Sequence, residues 1–346
     1  MLVVGVERDV AYVVFRHAVV GDGTEFDFLT GEGERLDAVG GVGALDGHLD
    51  LGPSSVGGIR ITTQVSDIAT RGITETATLQ NFGICIQGSG EHASSLQYNN
   101  VEMTKNGEEW TSATPMLWKS EIPSADIIAY APYQADISDA LATQKQFPVS
   151  VKAVQTQEDL SSDLLVFKAK DYAPTIVGEN KDKIVEVKFD HAFSQLMVTF
   201  NFHSAFSNDE VDLSKIEDVK VEGTVLSGVC DFSQDKPQIT VQADAAAESI
   251  TPENVSFQAK DAEHASISAQ YSCLLVPQTI QAANQPLTVT FRLGDTTYSW
   301  KANTDITLEQ GKYYTLSLNI RKTGVAVEGT IKGWIPAEGN NEYVAN

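Results

Sequence analysis

The chain has 346 residues, of which 42% are hydrophobic and 21% charged, and its formal net charge is −23 with a pI near 4.5. At roughly 150 residues per domain, this length predicts two domains. The acidic balance argues against nucleic acid or an anionic lipid surface as a partner, because both are bound by clustered lysine and arginine.

Residues 1–57 differ in composition from the rest of the chain. Twelve of the 26 glycines lie within residues 1–58, and the first lysine is Lys105. This part carries turn signals with little strand periodicity. Charged residues interrupt its apolar runs, which is atypical of a signal peptide. We therefore expect an atypical Gly-rich leader, flexible or foreign to the natural protein, that takes no part in the fold.

Half-buried strand patterns begin after this leader and continue to residue 182. Apolar and polar residues alternate at 58–65, 79–87, 96–103, 126–132 and 163–169. Such alternation predicts strands with one buried and one solvated face. Residues 138–146 are the exception, because they favour a short helix within a loop. Polar residues 172–183 then end the set, so we predict an N-terminal β-sandwich over 58–182.

The clearest pattern opens the second set of strands, at residues 184–202. Val185, Val187 and Phe189 alternate with polar residues, a turn is expected around Asp190 and His191, and alternation resumes from residue 196. Further strands are predicted at 216–222, 238–242, 271–276, 287–293, 296–301, 312–320 and 327–334. Strands without intervening helices argue against a parallel βαβ sheet. We predict an all-β fold of two tandem antiparallel β-sandwiches, the second over 183–346.

The sequence contains no motif that predicts catalysis, a cofactor or a metal site. It lacks a GxSxG elbow, an HExxH helix and a phosphate-binding loop. Cys85, Cys230 and Cys273 have no metal-type spacing, and a single disulfide among them stays open. His191 is expected to form a hydrogen bond that stabilises the fold, because no nucleophile motif accompanies it. We predict that the protein is not an enzyme.

Two of the four tryptophans are candidates for binding a sugar. Trp110 and Trp300 are flanked by polar residues and could stack on a sugar ring, whereas Trp118 and Trp334 are expected to pack in cores. This possibility supports an alternative function, a monomeric glycan-binding module of the cell surface.

Several segments, taken in order, resemble one protein family. They are PMLW at 115–118, DIIAYAPY at 126–133, SDLLVFKA at 162–169, VKFDHAFSQLMV at 187–198, LLVPQ at 274–278, LEQGKYYTL at 308–316 and IKGW at 331–334. The series resembles the fimbrillin family, the minor-fimbrium-like or type V pilus subunits of Gram-negative anaerobes. The resemblance implies two tandem transthyretin-like domains. It also implies a fimbrial subunit or tip adhesin of the bacterial surface, held at the outer membrane as a lipoprotein.

The family also implies a mode of assembly by donor-strand exchange. A protease removes an N-terminal segment after an arginine, and an extended segment of a neighbouring subunit fills the groove that opens. Arg71 is the candidate for this processing arginine, the alternative being an ordinary arginine in a solvated turn. Residues 327–344 are the candidate donor, the alternative being a permanent last strand. The expected partners are other pilus subunits, in a homo- or hetero-polymer, and an adhesion ligand that is a host or bacterial surface protein or a glycan.

Overall fold

The computed structural model describes residues 56–66, 77–156, 159–178, 181–242, 244–322, 328–336 and 343–345, with four short strands before residue 52. The chain divides into two compact units, 1–52 and 53–346. In the first unit, β1 (Leu2–Glu7) pairs with β2 (Val10–Phe15) and β3 (Phe28–Leu29) with β4 (Arg35–Leu36), both antiparallel. None of these four strands was predicted from the sequence.

The second unit begins with ten strands and one short helix. The strands are β5 (Val56–Val65), β6 (Asn81–Gly88), β7 (Gln97–Asn106), β8 (Glu109–Thr111), β9 (Leu117–Lys119), β10 (Ala125–Ala131), β11 (Gln146–Ser150), β12 (Leu165–Tyr172), β13 (Thr175–Val177) and β14 (Asp182–His191), and the helix is α1 (Ser138–Thr143). Single 3-10 turns lie at Gly90–His92, Ala135–Ile137, Leu160–Ser162 and, later in the chain, Leu213–Lys215.

Nine of these strands form one sheet in the order β8-β7-β6-β10-β12-β14-β5-β9, with β13 also paired to β14. The sheet folds over on itself, because its edge strand β8 contacts β5, the strand next to the opposite edge. The indole Nε1 of Trp110, on edge strand β8, donates a hydrogen bond to Thr63 Oγ1 of β5 at 3.0 Å. The apolar side chains thereby enclosed form the first core, which includes Phe82, Ile84, Trp118 and Phe189.

The remaining strands surround a second core. They are β15 (Ser194–Phe202), β16 (Ile216–Thr224), β17 (Ser227–Asp231), β18 (Gln238–Val241), β19 (Glu248–Ile250), β20 (Glu253–Gln258), β21 (Ser268–Leu275), β22 (Gln278–Ile280), β23 (Thr288–Leu293), β24 (Thr296–Lys301), β25 (Ile306–Leu308), β26 (Tyr313–Ile320), β27 (Glu328–Pro336) and β28 (Tyr343–Ala345). The sheet orders are β20-β21-β15-β26-β27-β28, β19-β16-β23-β24, β11-β17-β18 and β22-β25.

Aromatic side chains join the two larger of these sheets face to face. Phe200 of β15 stacks on Phe291 of β23 with ring centroids 4.4 Å apart, and Phe291 stacks on Tyr298 of β24 at 5.0 Å. Phe200 and Phe291 are almost entirely buried. Apolar faces packed in this way form a β-sandwich core. The all-β sandwich class predicted from the sequence is therefore confirmed.

The pairing of strands differs from the expected antiparallel arrangement at two places. Strand β14 runs parallel to β5, and β15 runs parallel to β26. Strands β14 and β15 follow each other in the chain but lie in different sheets. The connection between them is at Ala192 and Phe193, two residues later than the turn expected from the sequence, and both residues are buried.

The two cores do not divide the chain at residue 182, where the sequence suggested a boundary. Val185, Val187 and Phe189 of β14 belong to the first core, whereas Ile128 and Tyr130 of β10, earlier in the chain, belong to the second. Strand β11 lies within the range expected for the N-terminal sandwich, yet it pairs with β17, and its Phe147 packs in the second core. Likewise β5 starts within the predicted leader 1–57.

Candidate functional site

Strand β5 and the groove it fills are the candidate functional site. The sequence of β5 alternates, so that one face turns into the first core and the other is exposed. Ile61 and Val65 are 6% and 4% exposed. The inward-facing residues are Ile59, Ile61, Thr63 and Val65.

Both edges of β5 are paired with other strands. On one side it runs parallel to β14 over seven residues, from Ile59 opposite Lys183 to Val65 opposite Phe189. The ladder is extended by Ser66 N, which donates to Phe189 O at 2.8 Å. On the other side the first three residues of β5, Val56–Gly58, are antiparallel to β9, and Ile59 N donates to Met116 O at 2.9 Å. Its position in the sheet is thus fixed by main-chain hydrogen bonds in both directions.

Aromatic rings form the floor of the groove beneath β5. Phe82 contacts Phe189 and Trp110 edge to face, with ring centroids 5.5 Å and 4.8 Å apart respectively. Phe82 and Phe189 are completely buried. Removal of β5 would therefore uncover an apolar surface as well as the free edge of β14.

Polar side chains attach β5 at two points. Besides the bond from Trp110 to Thr63, Asp182 Oδ1 accepts from Gly58 N at 3.2 Å, and its Oδ2 lies 2.9 Å from Arg60 Nε. The Arg60 side chain is 67% exposed. Because exposed ion pairs contribute little, Arg60 adds little to the hydrogen bonds that hold β5 at Gly58 and Thr63.

We predict that Trp110→Phe lowers the free energy of unfolding by about 1 kcal/mol, since a smaller aromatic ring remains beside Phe82 but the hydrogen bond to Thr63 is lost. Urea unfolding measures the change. Thr63→Val removes the same bond from the other side, so the double variant should cost less than the sum of the two single variants. Fully additive losses would show that the bond contributes nothing.

Residues 67–76, with the processing candidate Arg71, lie outside the described residues. They connect the end of β5 at Val65 to the chain leading into β6. Cleavage after Arg71 would therefore separate β5 covalently from every strand with which it pairs.

The candidate donor, residues 327–344, is described at 328–336 and 343–344. Strand β27 pairs with β26 over Tyr313–Asn319, and β28 pairs with β27. A Cβ added at Gly329 would lie 2.4 Å from Leu318 Cδ2 and 2.8 Å from Trp300 Nε1. Strand β27 is thus closely packed as part of its own sandwich, the arrangement that the sequence left open as a permanent last strand.

Both tryptophans proposed to bind sugar are engaged with the protein. Trp110 donates to Thr63 and contacts Phe82, and its side chain is half-buried. Trp300 is 9% exposed and packs in the second core. Stacking of Trp110 or Trp300 on a sugar stays a prediction. For Trp300, it would require the buried ring to become accessible to the sugar.

One histidine and two cysteines are titratable groups buried in the protein interior. His191 Nδ1 and Asp163 Oδ1 are 2.9 Å apart, and their side chains are 3% and 1% exposed, which confirms the hydrogen bond expected of His191. All three cysteines are free thiols. Burial raises the pKa of Cys273 to about 12 and also raises that of Cys230. A thiol held protonated in this way is a poor nucleophile.

Two further observations concern the described part of the chain alone. Within it, no three histidine, cysteine, aspartate or glutamate residues are grouped so that they could hold a metal ion. Nor does any helix there have the length and apolar character needed to cross a bilayer.

The chain is similar to a known protein family in sequence and to solved structures in fold. The model of the family described as fimbrillin-like matches residues 69–334. No curated protein gives a significant match. Two solved structures of candidate cell adhesion proteins, from Bacteroides uniformis ATCC 8492 and Bacteroides ovatus ATCC 8483, are each 16% identical with a TM-score of 0.52. In both cases the matched region covers 80% of this chain. It covers 96% of the Bacteroides uniformis chain and 98% of the Bacteroides ovatus chain. At this identity the likeness shows the fold.

Proposed function

The chain belongs to the fimbrillin-like family, and from this premise we propose that it is a non-catalytic subunit of a surface fimbrium that assembles by β-strand addition. Membership of the family supports a fimbrial or adhesive role at the bacterial surface. Anchoring of the protein or its polymer to the outer membrane through a lipid, and its assembly with like or unlike pilus subunits, are parts of the same proposal.

The observation that carries the proposal is the position of β5. This strand precedes Arg71, lies between β14 and β9, and has alternate side chains buried in the first core. A segment of another chain could replace such a strand, since main-chain hydrogen bonds supply affinity and alternate side chains fill pockets. Without β5, the edge of β14 would be open to pairing.

The donor in this proposal is the C-terminal segment, residues 327–344. Because β27 is already paired and packed within its own sandwich, donation requires this segment to leave β26 and exchange between subunits. If β27 is instead a permanent strand, the donor must come from a different subunit type, which favours a hetero-polymer or a tip position.

We expect an arginine-specific protease to cleave the native chain after Arg71. The product, residues 72–346, should be stable, because the strands beyond β5 are paired with one another. Mass spectrometry identifies the cut. In Arg71→Lys the arginine-specific protease should no longer cut at this position, whereas trypsin still should. Resistance of the native chain at Arg71 would contradict the prediction, and a cut product that stays monomeric at high concentration would contradict a polymerising role.

A further inference from the structure

A cleft of about 740 Å³ lies between β12, β14 and two loops of the second core. One loop precedes β18 and the other precedes β26. Gln310 Nε2 joins them by donating to Pro237 O at 3.2 Å. The volume is within the range of about 300–1,000 Å³ that is typical of small-ligand sites.

The cleft is basic although the protein as a whole is strongly acidic. It is lined by four lysines and two aspartates, in a chain with 24 basic residues and a net charge of −23. A recess lined by one predominant charge concentrates its electric field and attracts ligands of opposite sign. The charged lining residues are Lys168, Lys188, Asp190, Asp235, Lys236 and Lys312.

Three of the four ammonium groups are available to a ligand. Lys168 Nζ is used within the protein, because it donates to Phe232 O at 2.8 Å and also to Gln234 O. For Lys188, Lys236 and Lys312, the described residues provide no hydrogen bond or ion pair to Nζ. Three like charges around one recess repel each other, and an anion placed among them would relieve this repulsion.

We propose that this cleft binds an acidic oligosaccharide. The three available lysines would hold its carboxylate or sulfate groups through charge-assisted hydrogen bonds. The carboxylates of Asp190 and Asp235 would accept hydrogen bonds from sugar hydroxyls. An acidic peptide such as hexaglutamate fits less well, because it has no hydroxyl groups to donate to these aspartates and so does not offset their charge. The proposal is independent of strand exchange, since the cleft is complete in the uncut chain.

The test uses the uncut full-length chain and isothermal titration calorimetry. The probes are a hyaluronan hexasaccharide, which carries carboxylates alone, a sulfated heparin hexasaccharide, neutral maltohexaose and hexaglutamate. The cleft variant combines Lys188→Glu, Lys236→Glu and Lys312→Glu. A matched control reverses the same number of charges at exposed lysines outside the cleft, in Lys170→Glu, Lys220→Glu and Lys301→Glu.

We expect the native chain to bind an acidic glycan, more weakly as salt is raised, and to bind neither maltohexaose nor hexaglutamate appreciably. The cleft variant should bind about thirtyfold more weakly or worse, and the control variant at most about threefold more weakly. Tighter binding of hyaluronan identifies carboxylate as the group recognised, and tighter binding of heparin shows that sulfate contributes. The proposal is overturned if neither acidic glycan binds, if both variants lose affinity equally while retaining their melting temperatures, or if hexaglutamate binds best.

Discussion

His191→Ala is expected to lower the free energy of unfolding by about 3 kcal/mol, because it removes a buried hydrogen bond to a carboxylate and leaves a cavity. The two atoms concerned, His191 Nδ1 and Asp163 Oδ1, are 2.9 Å apart between side chains that are 3% and 1% exposed. Urea unfolding at constant pH measures the loss.

The chain provides a matched control in a second histidine–aspartate pair. His264 Nδ1 and Asp261 Oδ1 are also 2.9 Å apart, but their side chains are 46% and 52% exposed. An exposed pair of this kind contributes little, so His264→Ala should change stability by less than about 0.5 kcal/mol. His191→Asn, which can keep a donor near Asp163, should recover part of the loss. Similar losses for His191→Ala and His264→Ala would show that burial does not strengthen the pair.

The position of the pair explains why its loss should affect the whole second unit. His191 is the last residue of β14 and lies opposite Leu165 of β12. Immediately after it the chain crosses between the cores, where Ala192 N donates to Leu164 O at 2.8 Å. Gly311 N reaches the same crossing by donating to Phe193 O at 3.2 Å. The hydrogen bond between His191 and Asp163 therefore stabilises the segment that connects the sheets of the two cores.

Local pattern was sufficient to predict most strands that have one exposed face. The predicted strand at 296–301 coincides with β24, and that at 58–65 starts two residues after the observed start of β5. Strand β17 was missed because Ser227–Asp231, with Gly228 and Cys230 at its buried positions, gives little contrast between its faces. Alternation reports which face is buried but not which strand lies alongside, so the parallel pairs and the separation of β14 from β15 could not be predicted.

The candidate sites depend on contacts between distant parts of the chain. Thr63 and Trp110 are 47 residues apart, and Asp163 and His191 are 28 apart. The lysines of the cleft come from β12, β14 and two separate loops. No spacing rule brings such residues together, because their distances are set by tertiary packing. The sequence did identify the hydrogen-bonding role of His191, since this residue lies in a segment with a recognisable local pattern. Processing at Arg71 was inferred from the family resemblance and stays a prediction.

The largest effect expected on assembly comes from supplying β5 in trans. When the chain is cut after Arg71, a synthetic peptide of residues 56–65 in excess should occupy the groove and keep the cut chains monomeric. The peptide restores the ladder with β14 and the buried contacts of Ile61 and Val65. Size-exclusion chromatography with light scattering measures the remaining polymer.

Two aspartate-substituted peptides of equal charge distinguish strand addition in a defined register from nonspecific hydrophobic binding. Ile61→Asp with Val65→Asp puts carboxylates on the buried face, and this peptide should bind about a hundredfold more weakly or worse and fail to block assembly. Thr62→Asp with Gln64→Asp puts them on the exposed face, so this second peptide should act almost as well as the native one. Because neighbouring residues of a strand face opposite sides, only a peptide paired in the register of β5 can distinguish the two substitutions. Equal potency of the two peptides would mean that the groove beside β14 is not the acceptor.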